Sequence, residues 1–224
     1  MDAALVADYL VHSPLFAPLG APERLELAGR MRPKHYQKGE VVFHRDDPAG
    51  HVFLITAGTV KILVPDESGH EVVIGLARGG DVFGELALFD DGPRSATVTA
   101  LTETSVLALA TRDFVAVLER NAPAMRQLLA LLARRIRRST GHIEDLVFLD
   151  LPGRVAKCLL DQSELSGDQT TLSLTQEDLA AFVGATRVAV NRVLVDLERR
   201  ALLRLGRGQI EIRDRELLRR EIRY

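Results

Sequence analysis

The chain has 224 residues, 46% of them hydrophobic and 27% charged, so it can bury a substantial core and still present a hydrated surface. Its single cysteine, Cys158, excludes an internal disulfide framework and a cysteine-rich metal or iron–sulfur site, and this fits a reducing cytoplasm. The net charge of −2 gives no global sign of nucleic-acid binding, and no apolar run is long enough to predict a membrane segment.

Short helices are predicted at the start of the chain. Residues 2–11 form the first, Ser13-Pro14 has the pattern of a cap followed by proline at the first helical position, and Ala21-Pro22-Glu23 starts an amphipathic helix. We expect these helices to pack against the domain that follows them.

Residues 33–109 predict an all-β sandwich or barrel, because short β-rich runs alternate with turn signals. The runs are Val41–His44, Val52–Thr56, Thr59–Val64, Glu71–Leu76, Ala96–Ala100 and Ser105–Ala110. Gly39, Gly58 and Gly80 are expected where the chain bends sharply or takes a positive φ. A barrel with histidines also suggests a metal enzyme, but His35, His44, His51 and His70 lack the close His-x-His plus Glu spacing of a metal cluster.

The stretch from Phe83 to Thr97 carries the most specific chemistry of the chain. Gly84-Glu85-Leu86 can start a short helix whose free amides suit a phosphate, and Asp90-Asp91-Gly92-Pro93 ends it in a turn. Arg94 adds a planar cation with paired donors, and Ser95 adds a hydroxyl. A carboxylate at Glu85 makes sense if it accepts a hydrogen bond from a sugar hydroxyl while Arg94 neutralises the phosphate. The stretch therefore predicts a pocket for a compact ribose phosphate with one negative charge, such as a cyclic nucleotide.

A long helix is predicted from Asn121-Ala122-Pro123 to about Phe148. Its apolar stripe recurs at three- and four-residue steps and consists of Met125, Leu128, Leu132, Ile136, Ser139, Ile143 and Leu146. So narrow a seam needs a partner, and the simplest partner is the same helix of a second copy in a two-fold dimer. Packing against the chain's own β-domain is the alternative, and both arrangements are compatible.

The last part of the chain predicts a winged helix-turn-helix. Thr175-Gln176-Glu177-Asp178 resembles a capping box, Gly184 provides the tight turn, and Thr186 caps a second helix that reaches about Arg199. The residues expected to meet DNA bases or phosphates are Thr175, Gln176, Thr186, Arg187, Val188, Asn191, Arg192 and, at the tip of a following hairpin, Arg207. A plain helical bundle with solvated arginines is the alternative.

Taken in order, these features resemble the CRP/FNR family of bacterial transcription regulators, which includes the cyclic AMP receptor proteins. The resemblance rests on the Gly-Glu-Leu and Arg-Ser-Ala of the 83–97 stretch, on the glycine spacing before it, and on the helix-turn-helix. It implies an α+β fold with an N-terminal cyclic-nucleotide-binding β-roll of the double-stranded β-helix (jelly-roll) type, a long dimerisation helix and a C-terminal winged helix-turn-helix. The expected domains are residues 1–120, the 121–149 helix with its hinge, and residues 150–224.

The same resemblance implies a homodimer, joined through the 123–148 helix, that binds cyclic AMP as an allosteric effector and then a palindromic operator in double-stranded DNA, with RNA polymerase as a further partner and no catalysis. The implied ligand residues are Gly84, Glu85, Leu86, Ala87, Arg94, Ser95 and Ala96, with Ser139 and Thr140 contacting the adenine from the paired helices. A regulator of this fold that needs no effector, or that senses haem or cyclic di-GMP, is the alternative.

One residue departs from the family pattern. Many members carry Arg-Glu-x-x-x-x-Arg on the recognition helix, and here Val188 replaces the glutamate between Arg187 and Arg192. A glutamate can accept a hydrogen bond from a cytosine amino group, whereas valine cannot. The chain is therefore expected to read the guanines of the family half-site with an altered preference at one base.

Overall fold

A computed structural model of the protein describes residues 2–65, 71–88, 92–165 and 167–223. The chain divides into two units. One holds residues 2–64 and 74–137, and the other holds 138–223 together with 65 and 71–73. The predicted domain boundaries near 120 and 149 stay predictions. None of the described helices combines the length and apolarity needed to cross a membrane.

Two four-stranded sheets form the predicted β-roll, and apart from residues 65 and 71–73 they belong to the first unit. In chain order the strands of the β-roll are β1 (Arg32–Tyr36), β2 (Val41–Phe43), β3 (His51–Ala57), β4 (Thr59–Pro65), β5 (Glu71–Arg78), β6 (Val82–Phe83), β7 (Thr97–Ala100) and β8 (Thr104–Ala110). One sheet has the order β1-β8-β3-β6 and the other β2-β7-β4-β5. A 3-10 helix, Leu86–Leu88, follows β6, so the predicted short helix is present in a tighter form.

Strand β3 is covered on both faces, on one by the other sheet and on the other by helices. Four consecutive residues of β3 are buried because both faces of the strand are covered. Val52 and Leu54 belong to the core that includes the helices, whereas Phe53 and Ile55 point into the core between the sheets. The helices on the outer face are α1 (Ala3–Leu10), α2 (Ala21–Arg30) and α3 (Thr111–Arg120).

The predicted helix start at Ser13-Pro14 is wrong, because residues 11–19 form turns and bends. The Ser13 side chain is fully buried, and its hydroxyl donates to the Gly80 carbonyl at 3.0 Å. The Ser13 hydroxyl therefore joins this segment to the β-roll and does not cap a helix.

Helix α4 (Ala122–Phe148) has the predicted length, but its apolar stripe divides into two sets. Leu128 is fully buried in the core of the first unit, so it does not face a partner chain as the stripe predicted. Leu129, Ile136 and Ile143 recur every seven residues and are 56%, 67% and 60% exposed. The described helix therefore packs one side on its own domain and leaves a heptad-spaced apolar seam in solvent.

The second unit contains α5 (Leu151–Leu165), β9 (Thr171–Leu172), α6 (Gln176–Val183), α7 (Arg187–Arg199), β10 (Leu203–Gly206), β11 (Gln209–Ile212) and α8 (Arg215–Arg219). Its sheet has the order β10-β11-β9, so the predicted hairpin is joined by a short third strand. Leu159, Leu179, Val190 and Leu194 are fully buried and form the inward faces of α5, α6 and α7. This core fixes α7 against α5 and α6 and leaves the other side of α7 exposed.

Candidate ligand-binding and nucleic-acid sites

Gly84 makes the turn on which the first candidate site is built. Its φ is +78°, a conformation that favours glycine, and a Cβ at this position would lie 2.7 Å from Arg94 Nη1. The turn therefore needs a residue without a side chain for two independent reasons. It brings the chain from β6 directly beside the Arg94 guanidinium.

Replacing Gly84 with alanine is expected to lower the free energy of unfolding by about 1–3 kcal/mol, because it adds backbone strain and a collision. Denaturant unfolding measures this loss. Gly29→Ala is the matched control, since Gly29 lies in α2 with open space around it and alanine there should stabilise by up to about 1 kcal/mol. Equal effects of the two substitutions would contradict the role of the turn.

Arg94 is a buried cation whose side chain is only partly satisfied. It is 4% exposed, and its Nη1 and Nη2 donate to the carbonyls of Gly84 at 2.8 Å and His51 at 2.7 Å. Burial lowers the pKa of Arg94, while the nearby carboxylates of Asp47 and Glu85 act in the opposite direction. Its Nε is buried and has no hydrogen-bond partner among the residues that the structure describes. An acceptor with negative charge would satisfy this donor.

Glu85 is a fully buried carboxylate next to this cation. One oxygen, Oε1, accepts a hydrogen bond from Nη1 of Arg135, and Arg135 Nη2 also donates to the Val82 carbonyl at 2.6 Å. The other oxygen, Oε2, is buried and has no partner in the described part of the chain. A hydroxyl group of a ligand would satisfy it. Arg135 is a cavity residue that the sequence did not predict.

These groups line a single small cavity of about 40 Å³ in the first unit. Its lining consists of Phe43, Ile62, Phe83, Gly84, Glu85, Leu86, Ala87, Arg94, Ser95, Ala96, Val98 and Arg135. Seven of the nine predicted ligand residues are among them. Pockets for small molecules usually measure about 300–1,000 Å³, so the lining must open to admit a nucleotide.

Two predicted ligand residues lie elsewhere, on helix α4. Ser139 and Thr140 are both exposed and belong to the second unit. Their contact with a ligand stays a prediction. The predicted turn residues Asp90 and Asp91 lie outside the described residues.

The second candidate site is the helix-turn-helix of α6 and α7. The Thr175 hydroxyl accepts from the Asp178 amide at 3.1 Å, Gly184 has a φ of +62°, and the Thr186 hydroxyl accepts from the Ala189 amide at 3.2 Å. Both predicted caps and the predicted glycine turn are confirmed. The Thr175 hydroxyl also donates to the Asp178 carboxylate at 2.6 Å, so its proton is committed within the protein.

The start of α7 presents the predicted base-reading residues to solvent. Arg187, Val188, Asn191 and Arg192 are all exposed, and Val188 is 63% exposed. Two contacts with α6 orient this face: the Gln176 amide lies 3.5 Å from Asn191 Oδ1, and Arg187 Nε lies 4.0 Å from a Glu177 oxygen. Guanidinium, amide and methyl groups on one exposed helix face are suited to the major groove.

The hairpin of β10 and β11 completes this site. A cavity of about 440 Å³ separates the hairpin from the start of α6 and from Arg187. Arg207 is exposed in the turn between Gly206 and Gly208. The cavity therefore lies between two parts of the chain that the sequence predicts to contact DNA.

The described residues contain no group of three His, Cys, Asp or Glu side chains that could hold a metal ion. His35 instead lies 3.1 Å from the Glu103 carboxylate and 3.2 Å from the Ser105 hydroxyl on the surface of β1 and β8. His70, one of the histidines considered above, lies outside the described residues. Burial raises the pKa of the Cys158 thiol to about 12, so this thiol is protonated at neutral pH.

Comparison with known families finds two matches along the chain. Residues 33–121 match the cyclic nucleotide-binding domain, and residues 153–221 match the Crp-like helix-turn-helix domain. The first span contains most of the lining of the small cavity. The second contains both helices and the hairpin of the nucleic-acid site.

Two curated relatives cover most of the chain. The CRP-like cAMP-activated global transcriptional regulator of Mycobacterium tuberculosis is 37% identical over 207 residues, which are 88% of this chain and 91% of the relative. The cyclic AMP receptor protein of Thermus thermophilus is 35% identical over 207 residues, 92% of this chain and 95% of the relative.

A solved structure, that of the c-di-GMP responsive global regulator CLP of Xanthomonas campestris, matches with a TM-score of 0.79 and 24% identity. The match covers 87% of this chain and all of that one, and at this identity it shows the shared fold alone.

Proposed function

This chain belongs to the CRP/FNR family of bacterial transcription regulators, and from that premise we propose that its effector is cyclic AMP. The chain is a cyclic-nucleotide-binding, DNA-binding regulator and not an enzyme. We further propose which nucleotide the protein binds, which residues bind that nucleotide, and how nucleotide binding changes the affinity for DNA. The proposal places the protein in the cytoplasm, with RNA polymerase as a partner at promoters.

The observation that carries the proposal is a pair of unsatisfied buried atoms in one cavity. Arg94 Nε lacks an acceptor and Glu85 Oε2 lacks a donor in the described residues, and both side chains line the same space. Leaving such groups unpaired costs about 1–3 kcal/mol each. A cyclic nucleotide supplies both partners, because its phosphodiester carries one negative charge and its ribose keeps a free hydroxyl.

The choice of adenine rests on other residues. Ser139 and Thr140 place two hydroxyls on α4, at the positions that contact adenine in the cyclic-AMP-responsive members that this chain resembles. The two relatives described above carry cyclic AMP in their names, which supports the same choice. Calorimetry with cyclic AMP, cyclic GMP and cyclic di-GMP tests it directly. Saturable binding of one cyclic AMP per chain is expected, and a preference for cyclic di-GMP would overturn the choice.

Signal transfer begins at Arg135. Its guanidinium holds Glu85 and the Val82 carbonyl, while its backbone belongs to α4. A hydroxyl that binds Glu85 therefore changes the surroundings of a residue on the dimerisation helix. We propose that the nucleotide favours the helix arrangement in which both reading helices fit DNA, and that the size of the response is limited by its differential affinity for the two arrangements.

The operator is proposed to be a palindrome read by two copies of α7 about 34 Å apart. The exposed seam of Leu129, Ile136 and Ile143 is the surface proposed to join the copies. Phosphate contacts are assigned to Gln176, Thr186 and Arg207, of which the last two are exposed. Thr175 is better explained as a cap than as a phosphate donor, because its proton is donated to Asp178.

Ile136→Ala is expected to weaken self-association about tenfold, because each copy loses apolar area at the seam. Analytical ultracentrifugation over a concentration series measures the change. Leu25→Ala is the matched control, since Leu25 is 51% exposed on α2 and is not part of the seam, so the dimer should be unchanged. A dimer equally sensitive to both substitutions would argue against the seam.

Val188→Glu is expected to add a preference for C·G at one base pair of each half-site, by about fivefold to a hundredfold, because glutamate accepts from the cytosine amino group. Selection from a randomised operator pool reads this preference. Val195→Glu is the control, since it adds the same charge to a 53% exposed valine two turns later and should weaken binding without changing the preferred sequence. An identical preferred site for wild type and Val188→Glu would remove Val188 from the reading face.

A further inference from the structure

The Arg94 guanidinium lies on a cluster of aromatic rings, here called the aromatic platform and formed by Phe43, Phe53 and Phe83. Arg94 Cζ is 4.2 Å from the centroid of the Phe43 ring and 5.7 Å from that of Phe53. The Phe53 and Phe83 rings stack, with their centroids 5.1 Å apart and an angle of 14° between their planes. Their centroids lie 5.8 and 6.0 Å from the centroid of the Phe43 ring. The platform therefore covers the guanidinium with a ring face.

A ring face suits this cation because the other contacts of Arg94 lie at the edge of its plane. The Gly84 and His51 carbonyls accept from its two terminal nitrogens, and the buried Nε has no partner in the described part of the chain. The quadrupole of an aromatic ring attracts a cation placed over its face without occupying any N–H donor. Such a contact holds the guanidinium plane and leaves Nε available for an anion.

Strand β2 aims Phe43 at this position. The pairing of β2 with β7 shifts register between Val41 and Phe43, which is the signature of a β-bulge or a similar irregularity. Irregularities of this kind redirect a side chain beside a binding site. Phe43 is half-buried and lines the cavity together with the buried Phe83, whereas Phe53 is buried and is not part of the lining.

We propose that Phe43 is a positioning residue that orients Arg94 for the phosphate of the nucleotide before the nucleotide binds. The inference rests on the proposed function, since it assigns a role within the same ligand site. Holding the guanidinium in advance removes part of the ordering cost from the binding step. The effect of Phe43 on nucleotide affinity should depend on the electron density of its ring as well as on the shape of the ring.

Fluorinated phenylalanines test this role, because stepwise fluorination weakens the ring quadrupole at nearly constant shape. With one, two and three fluorines at position 43, the affinity for cyclic AMP is expected to fall progressively, to about fivefold below that of the wild type. Phe114 is the matched control, since it is fully buried in the other core of the same unit. The same series at Phe114 should leave the affinity unchanged.

A second arm tests the contact without any nucleotide. Trifluorophenylalanine at position 43 should raise the unfolding equilibrium constant about fivefold when Arg94 is present and change it less than about twofold in the Arg94→Met background. Equal effects in both backgrounds would overturn the inference. Unchanged cyclic AMP affinity across the fluorinated series would overturn the positioning role alone. If the wild type binds no cyclic nucleotide, the proposed function fails first and the positioning role fails with it.

Discussion

Arg94→Ala is expected to weaken cyclic AMP binding by about thirtyfold to several thousandfold, because it removes the buried cation proposed to pair with the phosphate. Truncating one member of a buried, hydrogen-bonded charge pair typically costs about 2–5 kcal/mol. Arg94 is the cavity residue that offers an unpartnered buried donor, so little else in the described lining can replace it. Isothermal titration calorimetry measures the loss.

The control for this variant must separate an effect on binding from an effect on folding. Arg94 also donates hydrogen bonds to the Gly84 and His51 carbonyls, so its removal can destabilise the fold. Arg45→Ala makes the same change of charge at a residue that is 47% exposed and not part of the described cavity lining. It should bind cyclic AMP within about twofold of the wild type. Thermal unfolding of both variants shows whether the fold is kept, and full affinity in a folded Arg94→Ala protein would remove the proposed phosphate site.

Arg187→Ala is expected to reduce operator affinity about a thousandfold. A bidentate contact from arginine to guanine contributes about 1–3 kcal/mol of discrimination, and a two-fold dimer loses two such contacts. Arg187 is exposed at the start of α7, which points its guanidinium away from the core of the second unit. Fluorescence anisotropy with a selected operator, at fixed salt and saturating nucleotide, measures the change.

Sequence specificity distinguishes the proposed base contact of Arg187 from a general loss of positive charge. Arg199→Ala is the control, because Arg199 is exposed at the far end of the same helix and paired with Asp196. It should lower specific and non-specific affinity alike, by a small factor. If Arg187→Ala also weakened both kinds of DNA equally, Arg187 would be assigned to the phosphates rather than to a base.

Most strands of the β-roll were predictable from sequence, and those that were missed share a physical cause. Strand β1 reads Arg-Pro-Lys-His-Tyr and lies at a sheet edge, where four of its five residues are exposed, so it lacks the apolar alternation that marks a strand. Strand β6 has two residues, too few for a period to appear, and the same is true of β9 in the second unit. Their pairing is decided by neighbours distant in the chain.

Part of the lining of the candidate ligand cavity could be predicted, because its central residues are close together in the sequence. Gly84, Glu85 and Arg94 lie within eleven residues, and the glycine turn brings the last two together. Arg135 is fifty residues away from Glu85, within a run of arginines on the long helix, and was not predicted to line the site. One signal was available: Arg135 follows Leu128 by two helical turns, so it lies on the same face as a fully buried leucine. Phe43 carried no comparable signal, since its position depends on an irregularity in the pairing of β2.

The long helix shows how a single apolar stripe can serve two surfaces. Its predicted stripe included Leu128, which the structure places in the core of the first unit, and omitted Leu129, which the structure exposes. Residues one position apart on a helix point about 100° apart, so a stripe wide enough to cover both cannot be assigned to one surface from sequence alone. In the first half of the helix, burial in the core of the first unit shows that Leu128 faces the chain's own domain and Leu129 does not.

The coupling between nucleotide and operator tests the central claim most directly. Operator affinity should be measured by anisotropy with and without saturating cyclic AMP, and cyclic AMP affinity with and without saturating operator. The account predicts that both affinities rise by the same factor, on the order of tenfold to a hundredfold, and that cyclic AMP has no such effect on Arg94→Ala at the same concentration. An operator affinity that is identical in the presence and absence of bound cyclic AMP would contradict it.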